Sequence, residues 1–106
     1  MGLFSDIITR PNVFLGVQAM SIKVGNRIRL KPLQGQHVPH TYYIECSRKE
    51  RGKYPVGTIF ELDCILVQPK NRSAYLRAIH RTGLQQSLDF FDHNLRLQSF
   101  TINQSK

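Results

Sequence analysis

The sequence predicts a mainly β fold: a small, partly open β-barrel of five or so antiparallel strands with one short C-terminal helix. Three observations predict it. Apolar and polar residues alternate in short runs, the period of a half-buried strand. Gly, Pro and Asn cluster between those runs, where the chain must turn. The chain has 106 residues, one domain by length, enough to bury about 60–70% of its unfolded surface without staples. A content of 41% apolar, 9% aromatic and 21% charged residues is that of a globular rather than a disordered chain. Closure removes the exposed edges that a short antiparallel sheet otherwise presents.

The first 19 residues read as an apolar arm ahead of a basic barrel domain at 20–106. Asp6, Arg10, Pro11 and Asn12 interrupt the arm. Its longest apolar run, Val13 to Val17, falls far short of the roughly 18–20 residues of a membrane span. No membrane association is therefore expected. The arm lacks a signal peptide's basic leader and long apolar centre, and Asp6 stands where myristoylation after Gly2 wants Ser or Thr. These absences, with no cysteine framework, point to a cytoplasmic setting. Residues 3–17 then pack on the barrel or on a second copy, making a homo-oligomer. Alternatively, the arm is upstream sequence before a start at Met20.

From Ser21 the pattern becomes regular. Gly25-Asn26 is a turn dipeptide, and a strand follows from Arg27 to Lys31, stopped by Pro32. Gly35 and Pro39 break the loop at 34–39. Thr41 to Ser47 reads as a strand with Tyr42, Ile44 and Cys46 on one face. The segment 48–53 is a polar loop. Pro55 and Gly57 fit the second and fourth positions of a type I turn. A long strand spans Thr58 to Gln68, with Phe60, Leu62, Cys64 and Leu66 on one face. A hairpin at 69–72 leads into a strand over 73–80, where Ala74, Leu76 and Ala78 share a face. Leu84, Leu88, Phe91 and Leu95 are spaced by four, three and four, a helical stripe. It predicts a helix near 84–94, followed by a last strand near 95–102.

The segment "KVGNRIRLKP", residues 23–32, resembles SH3-like and KOW-like small barrels: a turn at Gly25-Asn26, then a strand alternating Ile28 and Leu30. The resemblance covers about a tenth of the chain. It implies an SH3-like barrel, a fold whose members often bind nucleic acid or peptides, though fold alone does not settle function.

Charge supplies the functional signal. Fifteen Lys and Arg against seven Asp and Glu give +8, which favours polyanionic partners. Arg27, Arg29 and Lys31 occupy alternate positions of one strand, so they share a face and span about 13–14 Å. That spacing suits the phosphates of an extended nucleic-acid strand. Arg48, Lys49, Arg51 and Lys53 in one loop, Lys70 and Arg72 in another, and Arg77 with Arg81 extend the candidate patch. Tyr43 and Tyr75 fall on the polar parity of their strands, placed to stack bases beside those cations. The first expectation is a non-enzymatic module holding nucleic acid mainly by its phosphates. A protein-interaction or oligomeric module is the alternative, and a solvated barrel exterior explains the same cations without a ligand.

Enzymatic signals are sparse. No P-loop, G-x-S-x-G, H-E-x-x-H or G-x-G-x-x-G occurs, and no cofactor is expected. Asp89, Asp92 and His93 would share one helix face, the best arrangement here for acid–base or metal-assisted hydrolysis, for example by a small metal-dependent nuclease. His37 and His40 stand three apart without a nearby cysteine pair, so no metal site is expected. Cys46, Cys64 and His80 share core parity, which predicts a buried thiol pair with a satisfied histidine. Glu61 and Asp63 share a strand face, where arginines of a neighbouring strand are the default partners.

Overall fold

A computed structural model describes residues 12–80 and 84–104, with side chains to Ser99. The elements are β1 (Val13–Val24), β2 (Arg27–Pro32), β3 (Ile44–Glu45), α1 (Arg48–Arg51), β4 (Ile59–Val67), β5 (Tyr75–Ala78), β6 (Gln85–Gln86), a 3-10 turn (Leu88–Phe90) and α2 (Phe91–Gln104). The fold is mainly β with one C-terminal helix beyond the short α1. Strands β1, β2, β3, β5 and β4 follow one another around a ring, and β4 pairs back onto β1, with β6 added to β4. The ring is a partly open barrel: β3 contributes only two residues and meets β2 at the single pair Leu30 and Ile44.

β1 organises the ring because both of its edges are used. Residues Ala19–Val24 pair with β2 and residues 13–20 pair with β4, both antiparallel. A strand paired on both sides must bend to close a ring. The bend sits at Gly16, where the β1–β4 register slips between Phe14 and Val17. Gly16 has φ 62°, a backbone conformation that side-chain-bearing residues seldom adopt. Its N–H, lost to the ladder, donates to Asp63 Oδ1 at 2.8 Å. The β1–β2 hairpin closes in two residues, with Gly25 also at φ 62°, the positive φ that a type II′ turn places at its first central position.

The interior is lined by Val17, Ala19, Leu30, Val38, Ile44, Phe60, Cys64, Leu76 and Ala78, all buried. The alternation expected for β2, β4 and β5 delivers Leu30, Phe60, Cys64, Leu76 and Ala78 to this core. Several expectations need correction. β1 runs without interruption across the anticipated boundary at residues 19 and 20, and Val17 and Ala19 are fully buried. Residues 1–11 lie outside the described part. The strand expected at 41–47 shrinks to Ile44–Glu45, because a turn at His40-Thr41 precedes it and Ser47 already caps α1, accepting from Glu50 N–H at 3.3 Å. The polar loop at 48–53 therefore contains a helical turn. β3 pairs with β5 in parallel rather than antiparallel fashion.

The C-terminal segment differs most. The helix expected near 84–94 begins only at Phe91, after β6 and the 3-10 turn, and residues 95–102 continue it instead of forming a strand. The reason lies at Ile59, whose backbone N–H and C=O would pair a further strand. Asn94 meets both: Oδ1 accepts from Ile59 N–H and Nδ2 donates to Ile59 C=O, each at 2.8 Å, and that carbonyl also accepts from Ser87 N–H at 2.9 Å. The Asn94 side chain is 2% exposed, so its amide substitutes for a strand backbone inside the fold. His93 Nε2 adds a 2.8 Å contact to Gly57 C=O. Of the stripe that predicted the helix, Leu84 packs against the core ahead of it, whereas Leu88, Phe91 and Leu95 are all exposed. Polar side chains rather than the leucine stripe hold this end of the helix to the barrel.

Two outcomes follow from this architecture. A chain beginning at Met20 loses the β1–β4 pairing through Ala19 and two core residues, so its amide NMR spectrum should collapse to the narrow dispersion of an unfolded chain; a dispersed, native-like spectrum would show that residues 12–19 are dispensable. Asn94→Ala strands the Ile59 N–H, while Ile59 C=O keeps the Ser87 N–H, and should cost about 1–3 kcal/mol. Denaturant titration checks this, and a loss below about 0.5 kcal/mol would mean that Asn94 is not the clamp.

Candidate nucleic-acid interface

The outward positions of β2 and β3 meet because the β2–β3 pairing sets Leu30 against Ile44. With those two residues inside, Arg29, Lys31, Tyr43 and Glu45 fall on the other face of the sheet. The Arg29 guanidinium lies 4.4 Å from the centre of the Tyr43 ring, and the Lys31 ammonium lies 5.7 Å from it. Both distances are within cation–π range. The parallel β3–β5 pairing then brings the end of the β4–β5 loop alongside, where the Arg72 guanidinium sits 5.4 Å from the Tyr75 ring.

All of these but Lys31 share one shallow groove. Arg27, Arg29, Tyr43, Ile44, Glu45, Arg51, Arg72 and Tyr75 line about 200 Å³. A second groove, of about 270 Å³, lies between the β1–β2 turn and α1 and is lined by Asn26, Arg27, Ile28, Arg48, Arg51 and Gly52. Arg27 and Arg51 belong to both. Each volume lies below the roughly 300–1,000 Å³ of enclosed small-molecule pockets.

The cations of the wall carry no contact ion pairs among the described residues. Among the described residues, no carboxylate lies within 4 Å of Arg27, Arg29, Lys31, Arg48, Arg51 or Arg72. Glu45, on the same wall, likewise makes no ion pair among the described residues. Three other acids, Glu61, Asp63 and Asp89, lie on the β1–β4 seam. Gln18 Nε2 donates to Glu61 Oε1 at 2.9 Å and to Asp89 Oδ2 at 3.2 Å. Glu61 and Asp63 thus engage Gln18 and the Gly16 amide, rather than the neighbouring arginines expected for them.

The remaining anticipated contacts are dispersed. Lys49 is exposed on α1, outside both grooves. Lys53 stands 2.9 Å from Glu50; the hydrogen bond and charge of that carboxylate hold the ammonium above the ordinary lysine range, while Lys53 lowers Glu50. Arg77 is half-buried on β5, in register with Glu45. Arg81 lies outside the described residues. Glu45 and Asn26 were not anticipated on the wall. The parity that exposes Tyr43 also exposes Glu45, and the turn that places Arg27 places Asn26 beside it.

The other sequence candidates do not converge. Asp89 belongs to the 3-10 turn and accepts from Gln18, Asp92 is exposed, and His93 is spent on Gly57 C=O. His37 contacts Leu15 C=O at 3.1 Å. Among the described residues, no three His, Cys, Asp or Glu side chains gather as metal ligands. Cys64 is buried, and that burial, aided by the Asp63 charge, pushes its thiol up to about 12. Burial also raises Cys46, against the hydrogen bond and charge of Arg51. His80 is exposed rather than buried with the thiols; it lines a separate cleft with Glu61 and Asp63. No described helix is long and apolar enough to cross a membrane. Within the arm proposed for self-association, residues 3–11 lie outside the described part, and Val17 is fully buried in the barrel.

Comparison of the chain with models of known families, with curated proteins and with solved structures finds no match.

Proposed function

We propose that the protein is a non-enzymatic nucleic-acid-binding module whose interface is the wall formed by β2, β3 and the β4–β5 loop. One observation carries the reading: Arg27, Arg29, Arg72, Tyr43 and Tyr75 line a single groove, with cations stacked on both rings and no carboxylate paired to them among the described residues. Unpaired cations supply phosphate contacts. Aromatic rings beside them supply stacking surfaces that every base can use. Binding of this kind is strongly salt-dependent and weakly selective for sequence.

The topology supports the same face. Strands β4, β1, β2 and β3 lie in that spatial order, which is the Greek-key arrangement. A five-stranded, partly open Greek-key barrel is the plan of an OB-type fold. Such folds use the face of strands 2 and 3, with the loops joining strands 1–2 and 4–5, to hold oligonucleotides. In this chain that face carries Arg27, Arg29, Lys31 and Tyr43, and those loops carry Asn26 and Arg72. A metal-dependent hydrolase reading has no such support, since Asp89 and His93 are directed to different partners.

The test is fluorescence anisotropy with a labelled oligonucleotide over a range of salt. Three to four phosphate contacts predict a slope of log affinity against log salt of about −2 to −3. Reversing Arg27 and Arg29 to Glu should abolish binding. Reversing Arg96, exposed on α2, should leave most of it, although that too lowers the net charge. Tyr43→Ala should weaken binding by about 1–3 kcal/mol. No binding by the wild-type protein at low salt, or equal losses from the Arg27/Arg29 and Arg96 reversals, would remove the reading.

A further inference from the structure

Arg51 is the one described arginine that is buried, at 7% exposure. It is placed there by α1: Ser47 caps the helical turn, Arg51 N–H bonds to Ser47 C=O at 3.1 Å, and the side chain folds back toward β3. Nη1 donates to Cys46 C=O at 2.9 Å. That bond fixes the plane of the guanidinium and uses one side of it. Nε is buried with no hydrogen-bond partner, and Nη2 has no protein acceptor among the described residues. A buried cation without a carboxylate is costly, and natural folds rarely keep one unless something completes it.

What is left unpaired has a shape. The Nε–Nη2 edge of a guanidinium presents two parallel N–H groups, the fork that meets two oxygens of one phosphate. Arg51 lines both grooves of the cationic wall, and Arg27 is the other residue the two share. An anion at Arg51 would therefore sit where the two grooves join, with Arg27 beside it, Arg48 on one side and Arg29 on the other.

Resting on the interface reading above, we propose that Arg51 is a buried phosphate anchor for single-stranded nucleic acid, gripping one backbone phosphodiester at the junction of the two grooves. A single strand can bend a phosphate into a recess and turn its bases onto Tyr43 and Tyr75. A duplex cannot do both, because its phosphates lie on a convex cylinder and its base faces are stacked against one another. The strand runs from the α1 side, past Arg27 and Arg51, toward Tyr75 and the β4–β5 loop.

The experiment compares wild type, Arg51→Met and Arg51→Lys by anisotropy, using an oligothymidylate of about 12 nucleotides, within the span of one such barrel, and a duplex of equal length. For the single strand, Arg51→Met should weaken binding about ten-fold at low salt and shorten the salt slope by about 0.7. Its thermal midpoint should not fall, since an unpaired buried charge has been removed. Arg51→Lys should keep the slope but lose affinity with the fork. Duplex binding should start weaker and change little in either variant. An unchanged single-strand slope in a folded Arg51→Met protein overturns the anchor while leaving the interface intact; absence of wild-type binding overturns the interface itself. Should Arg51→Met fail to fold, the Nε–Hε NMR resonance of wild-type Arg51 decides. It should shift with the phosphodiester oligonucleotide and not with its uncharged methylphosphonate counterpart, and a resonance unmoved by the phosphodiester overturns the proposal.

Discussion

The structure depends on one constraint: β1 must serve two neighbours at once. A 12-residue strand that ladders to β2 along one edge and to β4 along the other cannot remain flat. The slip at Gly16 gives it the bend, and the Asp63 carboxylate takes up the amide that the slip releases. With β4 returned beside β1, the only free edge left for β5 is the far side of β4. The ring then closes through the short parallel contact of β3 with β5. Every feature of the cationic wall follows from that closure. Tyr43, just before β3, lies beside β5 and Tyr75 only because β3 and β5 meet, and Arg29 reaches Tyr43 only because β2 carries Leu30 opposite Ile44.

The same arrangement separates charge. Basic residues gather on β2, α1 and the β4–β5 loop, while Glu61, Asp63 and Asp89 gather along the β1–β4 seam. There they are held by Gln18 and by the backbone of the bulge. This division is electrostatic as well as geometric. A carboxylate placed against Arg29 or Arg51 would quench the field at the wall; one placed at the bulge satisfies an orphan amide instead. Glu45 is the one carboxylate lining the groove, and among the described residues it makes no ion pair with the surrounding arginines.

Much of the fold was legible in local pattern. β2, β4 and β5 alternate cleanly, so their inward residues could be read as core before any pairing was known. The face carrying Arg27, Arg29, Lys31 and Tyr43 was legible for the same reason. What was not legible shares a physical cause: it depends on contacts distant in sequence. The first half of β1 was read as an arm because the slip at Gly16 breaks the alternation that marks a strand. The parallel β3–β5 pairing joins residues about 30 apart in the chain and leaves no local trace. The C-terminal helix was read about seven residues too early, and on the wrong face, because Leu84, Leu88, Phe91 and Leu95 mimic a helical core stripe. The residue that fixes the helix, Asn94, is polar and acts on a backbone 35 residues away. Arg51 looked like one more loop cation among four, since burial is a property of the folded chain.

The central claim is spatial: one wall, and no other surface, meets the polyanion. Amide chemical-shift mapping of the isotopically labelled protein with a short oligothymidylate tests it directly. The account predicts shifts concentrated at residues 26–31, 43–52 and 70–75, with the β1–β4 seam and the exposed face of α2 unmoved. Shifts centred on α2 or on the seam, or spread evenly over the barrel, would contradict it.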